Sequence, residues 1–108
     1  MTQPTDVETF EDLDPDAPEQ EKVKVTVFNE EDGDEYHLRA RITAGLKKVI
    51  DRLYDHKLRR ERRPDDRLTC EQGGEDIFQF EDLTFEHYLA EGHCPKLEWL
   101  FVGGTGGA

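Results

Sequence analysis

Apolar and polar side chains alternate from Lys22 onward: Val23, Val25 and Val27 stand between Lys22, Lys24, Thr26 and Phe28. A period of two is that of a strand buried on one face. Residues 29–34 interrupt it with Asp32-Gly33, a hairpin-turn signal. Tyr36, Leu38 and Ala40 then alternate with His37, Arg39 and Arg41. The pattern predicts two antiparallel strands joined by a short loop. Next the period lengthens. Leu46, Val49, Ile50, Leu53 and Tyr54 fall on one helical stripe, with Lys47, Lys48, Asp51 and Arg52 off it. This predicts a helix over about 44–57, capped by Thr43, that covers one face of the hairpin. Gly45 weakens its first turn, and Pro64 bars extension much beyond Arg63.

The second half predicts shorter elements. Residues 67–71 read as a strand with Leu68 and Cys70 on one face, and 72–76 as a turn. Residues 77–80 read as another short strand, and 83–89 as a helical turn capped by Thr84 that brings Phe85, Tyr88 or Leu89 inward. Residues 91–96 break it. A last strand over 97–102 places Leu97, Trp99 and Phe101 on one face and Glu98 and Leu100 on the other. The final eight residues hold four of the nine glycines and no charge. Glycine loses the most backbone entropy on ordering, so this end predicts a flexible tail over 103–108 rather than a helix or central strand. A tail without bulky side chains after a packed strand suits threading a carboxyl terminus into a narrow site on another protein. The alternative is an ordinary disordered end.

Composition narrows the function. The 108 residues suit one domain, and a net charge of −12 speaks against a general binder of nucleic acid or anionic membrane. No apolar run approaches the roughly 20 residues of a membrane span. The amino terminus has neither the basic flank nor the apolar stretch of a signal peptide, so a cytoplasmic protein with reduced Cys70 and Cys94 is expected. Residues 1–21 carry eight acidic side chains, three prolines and no basic residue. They predict a disordered leader that repels itself, ahead of a domain over 22–102. Lys57, Arg59, Arg60, Arg62, Arg63 and Arg67 form the single basic cluster, with Glu61, Asp65 and Asp66 interleaved. A solvated helix end is the expectation there, ahead of a docking surface for an acidic partner or for the chain's own leader. Cys70, His37, His56, His87 and Glu86 are the candidate enzyme chemistry, but no nucleophile elbow, phosphate loop or Cys-x-x-Cys accompanies them. His93-Cys94 with Cys70 lacks zinc-ligand spacing. Neither an enzyme nor a metal site is expected.

The order strand, strand, helix, strand, short strand, helical turn, strand describes a mixed α+β sheet curled around one helix. Arg67-Leu68 opening a strand, the turn at Gln72-Gly73-Gly74, the run Leu83-Thr84-Phe85-Glu86-His87-Tyr88 and a last strand ending in Gly-Gly follow in order. Over residues 22–107 the chain resembles the ubiquitin family, the β-grasp fold, and is most similar to single-domain ubiquitin-like modifiers of bacterial conjugation operons. The resemblance implies a modifier matured by a processing peptidase, joined to AMP and then to a cysteine by an activating enzyme, and passed by a conjugating enzyme to a target protein. Bacterial antiviral defence is one setting it implies. The chain itself needs no cofactor, since ATP belongs to the activating enzyme.

The resemblance also places site residues. Thr69 falls where ubiquitin's recognition patch has its central isoleucine, and Glu98 and Leu100 fall near the patch histidine and valine. Readers of that apolar patch are expected to bind poorly. Two Gly-Gly pairs compete for the functional end. A fully extended chain spans about 3.3–3.6 Å per residue, so a tail ending at Gly103-Gly104 reaches roughly 10 Å beyond Phe101, and one ending at Gly106-Gly107 roughly 20 Å. The longer reach suits a buried active site, so cleavage between Gly107 and Ala108 and conjugation through Gly107 are expected, with Gly104 as the alternative end. A sulfur carrier, whose terminal glycine becomes a thiocarboxylate, and a ubiquitin-like interaction domain that is never conjugated are the other two readings.

Overall fold

The computed structural model describes residues 10–104. Five strands form one mixed sheet in the order β1-β3-β2-β5-β4: β1 (Phe10–Asp12), β2 (Lys22–Asn29), β3 (Glu35–Arg41), β4 (Arg67–Cys70) and β5 (Glu98–Val102). The valine alternation builds its centre. β2 and β3 form the antiparallel hairpin, with Val25 opposite Leu38 and Val27 opposite Tyr36. β5 lies parallel to β2 and antiparallel to β4, so Trp99 stands beside Val27 on one side and Cys70 on the other. Gly33 closes the hairpin at φ 77°, a conformation that a side chain would strain.

The main helix, α1 (Leu46–Arg52), continues through a wider π-type turn over Leu53–Leu58. Its stripe of Leu46, Val49, Ile50, Leu53 and Tyr54 is buried against the inner face of the sheet, as the helical period predicts. Tyr54 meets Phe101 edge-on at 5.9 Å, and Phe85 of α2 (Phe85–Ala90) stacks on Trp99 at 6.3 Å. Each such aliphatic or aromatic side chain contributes about 1.5–3 kcal/mol on burial. The architecture is α+β: one mixed sheet and one main helix.

Four expectations need correction. Thr43 does not cap α1. The cap position is Gly45, and the first amides donate to backbone instead, Leu46 N to Leu83 O (2.9 Å) and Lys47 N to Glu81 O (3.1 Å). The contact is reciprocal, because Phe85 N donates to Ala44 O and Glu86 N to Ile42 O. Helix ends need partners for their free N–H groups, and here a distant loop supplies them. Thr84, by contrast, caps α2 as expected, accepting from His87 N.

Residues 77–80 are not a strand. Ile77 is buried and its amide donates to Leu68 O (2.7 Å), but Asp76 Oδ1 accepts from Phe78 N and turns the chain into a 3-10 turn over Phe78–Phe80.

Cys70 and Cys94 are not reduced thiols; they form a disulfide that ties β4 to the loop before β5 across a separation of 24 residues. Both are buried in the core. A crosslink of that length stabilises by about 3 kcal/mol through the unfolded chain.

The leader is ordered from Phe10. β1 pairs parallel with β3, Phe10 opposite His37 and Asp12 opposite Arg39. Ala17 is buried, and a 3-10 turn over Glu19–Glu21 leads into β2. The acidic side chains repel one another, but the domain offers most of those in 10–21 a cation. Glu11 meets Arg52 (2.8 Å), His56 (2.9 Å) and Lys57 (3.4 Å). Asp12 meets Lys22 (2.6 Å), Asp14 meets Lys48 (2.7 Å) and Glu19 pairs with Arg39. The folded unit therefore includes residues 10–21, ahead of the expected start at 22. The rest of the expected leader, residues 1–9, lies outside the described residues.

Candidate functional site

Two places hold the residues singled out by sequence. The first is the outer face of the sheet. Thr69 of β4 and Leu100 of β5 are direct register partners, and Glu98 stands two residues along β5 on the same face. All three are half-buried. The expected surface trio is thus brought together. Phe28 of β2 is the register partner of Leu100 on its other side and is also half-buried. Sequence reading placed Phe28 among the outward positions and gave it no role, so the apolar centre of this face is Phe28 and Leu100, flanked by Thr69. Glu98 accepts a hydrogen bond from Gln72 Nε2 (2.9 Å), which holds the carboxylate at the rim.

The second place is the start of the carboxyl tail. Gly106, Gly107 and Ala108, the expected conjugation and cleavage positions, lie outside the described residues. The alternative end, Gly103-Gly104, lies within them and is docked, which corrects the expectation of a tail flexible from 103: it is held at Gly104. The amide of Gly104 donates to Asp66 Oδ1 (2.7 Å), and its carbonyl accepts from Arg63 Nη1 (2.7 Å). Gly104 is buried. A β-carbon there would fall onto Asp65 Oδ1 and stand 2.8 Å from the Asp65 carbonyl carbon, so the close approach requires glycine. At Gly103 a β-carbon would meet only the carboxylate end of Glu31, at 2.5–2.8 Å, and that flexible end can swing aside.

Asp66 is the centre of this arrangement, and sequence reading passed over it as one of the acids interleaved in the basic cluster. Its side chain is fully buried. Besides Gly104, it accepts from Arg60 through both terminal nitrogens (3.0 and 2.9 Å), from the Arg63 amide (2.8 Å) and from the Tyr54 hydroxyl (2.8 Å). Burial alone would push this carboxyl up. The Arg60 fork, the two amides and the phenol outweigh it and hold the group well below the ordinary carboxylate value. Burial and the same carboxylate push the Tyr54 hydroxyl strongly up. The available sequence signal was the Arg63-Pro64-Asp65-Asp66 turn, which closes through Asp66 N to Arg63 O (3.0 Å) just before β4.

Most of the basic cluster is consequently spent within the chain. Arg60 and Arg63 serve Asp66 and the tail, Arg62 pairs with Glu81 (2.8 Å) and lies 4.3 Å over the Phe78 ring, and Lys57 meets Glu11. A concavity of about 590 Å³ between Tyr54, Asp55, Arg59, Arg60 and Arg62 remains open beside them. The candidate enzyme residues do not converge. His37 sits on β3 near Thr26, His56 faces Glu11 at the helix end, and His87 faces Glu91 on α2. Cys70 and Cys94, joined to each other, offer no thiolate to a metal beside His93. His93 lies between Glu91 (2.7 Å) and Glu75 (3.2 Å) and stacks on Phe80 at 4.1 Å. Its hydrogen bond to Glu91 raises its pKa. The Tyr88 hydroxyl, pushed up to about 12 mainly by burial, and the Trp99 indole N–H are buried without a protein hydrogen-bond partner.

Among the described residues no helix is long and apolar enough to cross a membrane. Compared with known proteins, the chain matches no family model, no curated protein and no solved structure.

Proposed function

We propose that this chain is a β-grasp, ubiquitin-like protein modifier that works in the cytoplasm through its carboxyl terminus. The observation that carries the reading is where the Gly-rich end leaves the domain. It follows directly from β5, a central strand flanked by β2 and β4, with the hairpin and the helix already placed before it. A terminus presented from a central strand has a rigid base, and small side chains beyond it admit it to a narrow site.

In this reading a peptidase hydrolyses the Gly107–Ala108 bond. An activating enzyme then lets the Gly107 carboxylate attack the α-phosphorus of ATP, releasing pyrophosphate. A thiolate displaces AMP to give a thioester, and after transfer to a conjugating enzyme a target amine displaces the thiol. The chain supplies the carboxylate that is activated and then the acyl group, and its partners supply the thiols, the target amine and every base. The Thr69, Leu100, Phe28 and Glu98 face is the partner surface. Threonine and glutamate there disfavour pockets shaped for a wholly apolar patch. Burial of Cys70 and Cys94 keeps the disulfide out of reach of cytoplasmic thiols while the domain is folded.

Co-expression with the activating and conjugating enzymes that this reading requires, followed by tryptic mass spectrometry, tests the reading. The last basic residue is Lys96, so a conjugate leaves the remnant Leu97–Gly107 on a target side chain. A remnant ending at Gly104 moves the functional end to the first pair. An added sulfur on unconjugated protein overturns the reading in favour of a sulfur carrier. An unprocessed, unconjugated chain overturns it in favour of a plain interaction domain.

A further inference from the structure

The two Gly-Gly pairs are not equivalent, because the first is already occupied by the domain itself. Both backbone polar groups of Gly104 are satisfied, the amide by a fully buried carboxylate and the carbonyl by Arg63. Glycine is required there by the Asp65 backbone, whereas a β-carbon at Gly103 would displace only the movable carboxylate end of Glu31. Hydrogen bonds to charged groups are stronger than neutral ones, and the Arg60 fork fixes the accepting carboxylate in place.

We propose that Asp66 and Arg63 form a latch on the carboxyl tail, which seats Gly104 in the free protein and opens when an enzyme takes the end. The inference rests on the modifier reading and adds regulation to it. With Gly104 seated, only three residues lead to Gly107, a reach of roughly 10 Å; released back to Val102, the last residue of β5, the reach is roughly 17 Å. The latch therefore withholds about two-fifths of the tail's reach from a recessed active site. It also gives the first pair a structural task, so that Gly104 is a seat and Gly107 the transferable end.

Amide hydrogen exchange at Gly104, followed by NMR on the full-length protein, tests the latch without any enzyme. The expected result is exchange at least tenfold slower than in an unstructured Gly-Gly-Thr peptide. Arg63→Ala and Gly104→Ala should remove protection of the 103–104 segment, read at residue 104 and at Gly103. Gly103→Ala should keep protection at residue 104. Leu38 and Ile50 amides should remain protected in all three variants, which separates release from unfolding. Peptide-like exchange in the wild type, or unchanged protection in Arg63→Ala, overturns the latch. The second arm is the rate of thioester formation with the activating enzyme, expected to rise severalfold in Arg63→Ala. Equal rates overturn the latch as a control on activation while leaving the modifier reading intact. No thioester in either protein overturns the modifier reading and the latch's role in activation, and leaves the exchange result to decide the seat alone.

Discussion

The two ends of the described chain are held by opposite means. Residues 10–21 lie along β3 and α1 through a three-residue strand and several ion pairs, most with at least one partly exposed partner. Residues 103–104 are held at one point, by a buried carboxylate and an arginine acting on the backbone of a single glycine. Exposed pairs contribute little each, and salt screens them. A buried, fully partnered carboxylate gains less than its hydrogen bonds suggest, but leaves large penalties when removed. The amino end is thus held by the sum of many weak contacts, the carboxyl end by one group whose partners depend on it.

The largest effect should come from that group. Asp66→Ala leaves Arg60 and the Tyr54 hydroxyl without their acceptor and should destabilise by about 3–5 kcal/mol in chemical denaturation. A loss under 1 kcal/mol would mean the partners find water, and the contrast between the ends would fall. Acid sharpens the same point. The Asp66 carboxyl is held below its ordinary value in the folded protein, so the unfolded chain takes up the proton first. Its contribution is complete above about pH 5 and is lost as pH falls from there. The gap between wild type and Asp66→Ala should therefore narrow with acid.

Deleting residues 1–21 should cost about 1–3 kcal/mol at low ionic strength, since each exposed pair contributes roughly 0.2–1 kcal/mol. In 0.5 M salt this cost should shrink, while that of Asp66→Ala should hold. A deletion cost indifferent to salt would assign the segment's adhesion to its strand and to Ala17 instead of its charges. Glu11→Gln, which removes one carboxylate from Arg52, Lys57 and the His56 ring, should account for about 0.5–1 kcal/mol of the deletion and share its salt dependence. The smallest effect lies at neither end and calibrates the rest. Arg59 closes the helix at φ 58° and is exposed. Arg59→Gly should stabilise by roughly 0.5 kcal/mol, because glycine adopts that conformation without strain. A loss at this position would point to a role for the guanidinium in the concavity beside Tyr54.

What could be read from sequence follows from which forces were local. The hairpin, the α1 stripe, the Thr84 cap and the inward face of β5 each announce themselves within a few residues, through period or cap chemistry. The start of α1 did not, because its partners are carbonyls some 35 residues on, at Glu81 and Leu83. The leader was misjudged because its charge was counted alone, without Arg39, Lys48, Arg52 and Lys57 on the body it folds against. The disulfide was set aside on grounds of compartment, although the strands bring the two cysteines together. In the candidate site, Thr69, Glu98 and Leu100 were legible from alternation, whereas Phe28 needed the parallel register of β2 with β5. Asp66 was hidden because a buried acid among arginines looks, in one dimension, like any acid in a charged loop.

The position of β5 also decides how the domain meets mechanical force. A pull entering at the carboxyl end is transmitted past Gly104 into a strand gripped on both sides, by the parallel ladder from Thr26 to Asn29 and the antiparallel ladder from Arg67 to Cys70. Extracting it loads those rungs together, in shear, and the crosslink at Cys70 and Cys94 confines how far the β4 side can yield. A pull along the strand at the amino end loads only the three pairs of β1 with β3. Forced unfolding is governed by the barrier rather than by equilibrium stability. The same molecule is therefore stiff when drawn by its tail and soft when drawn by its head.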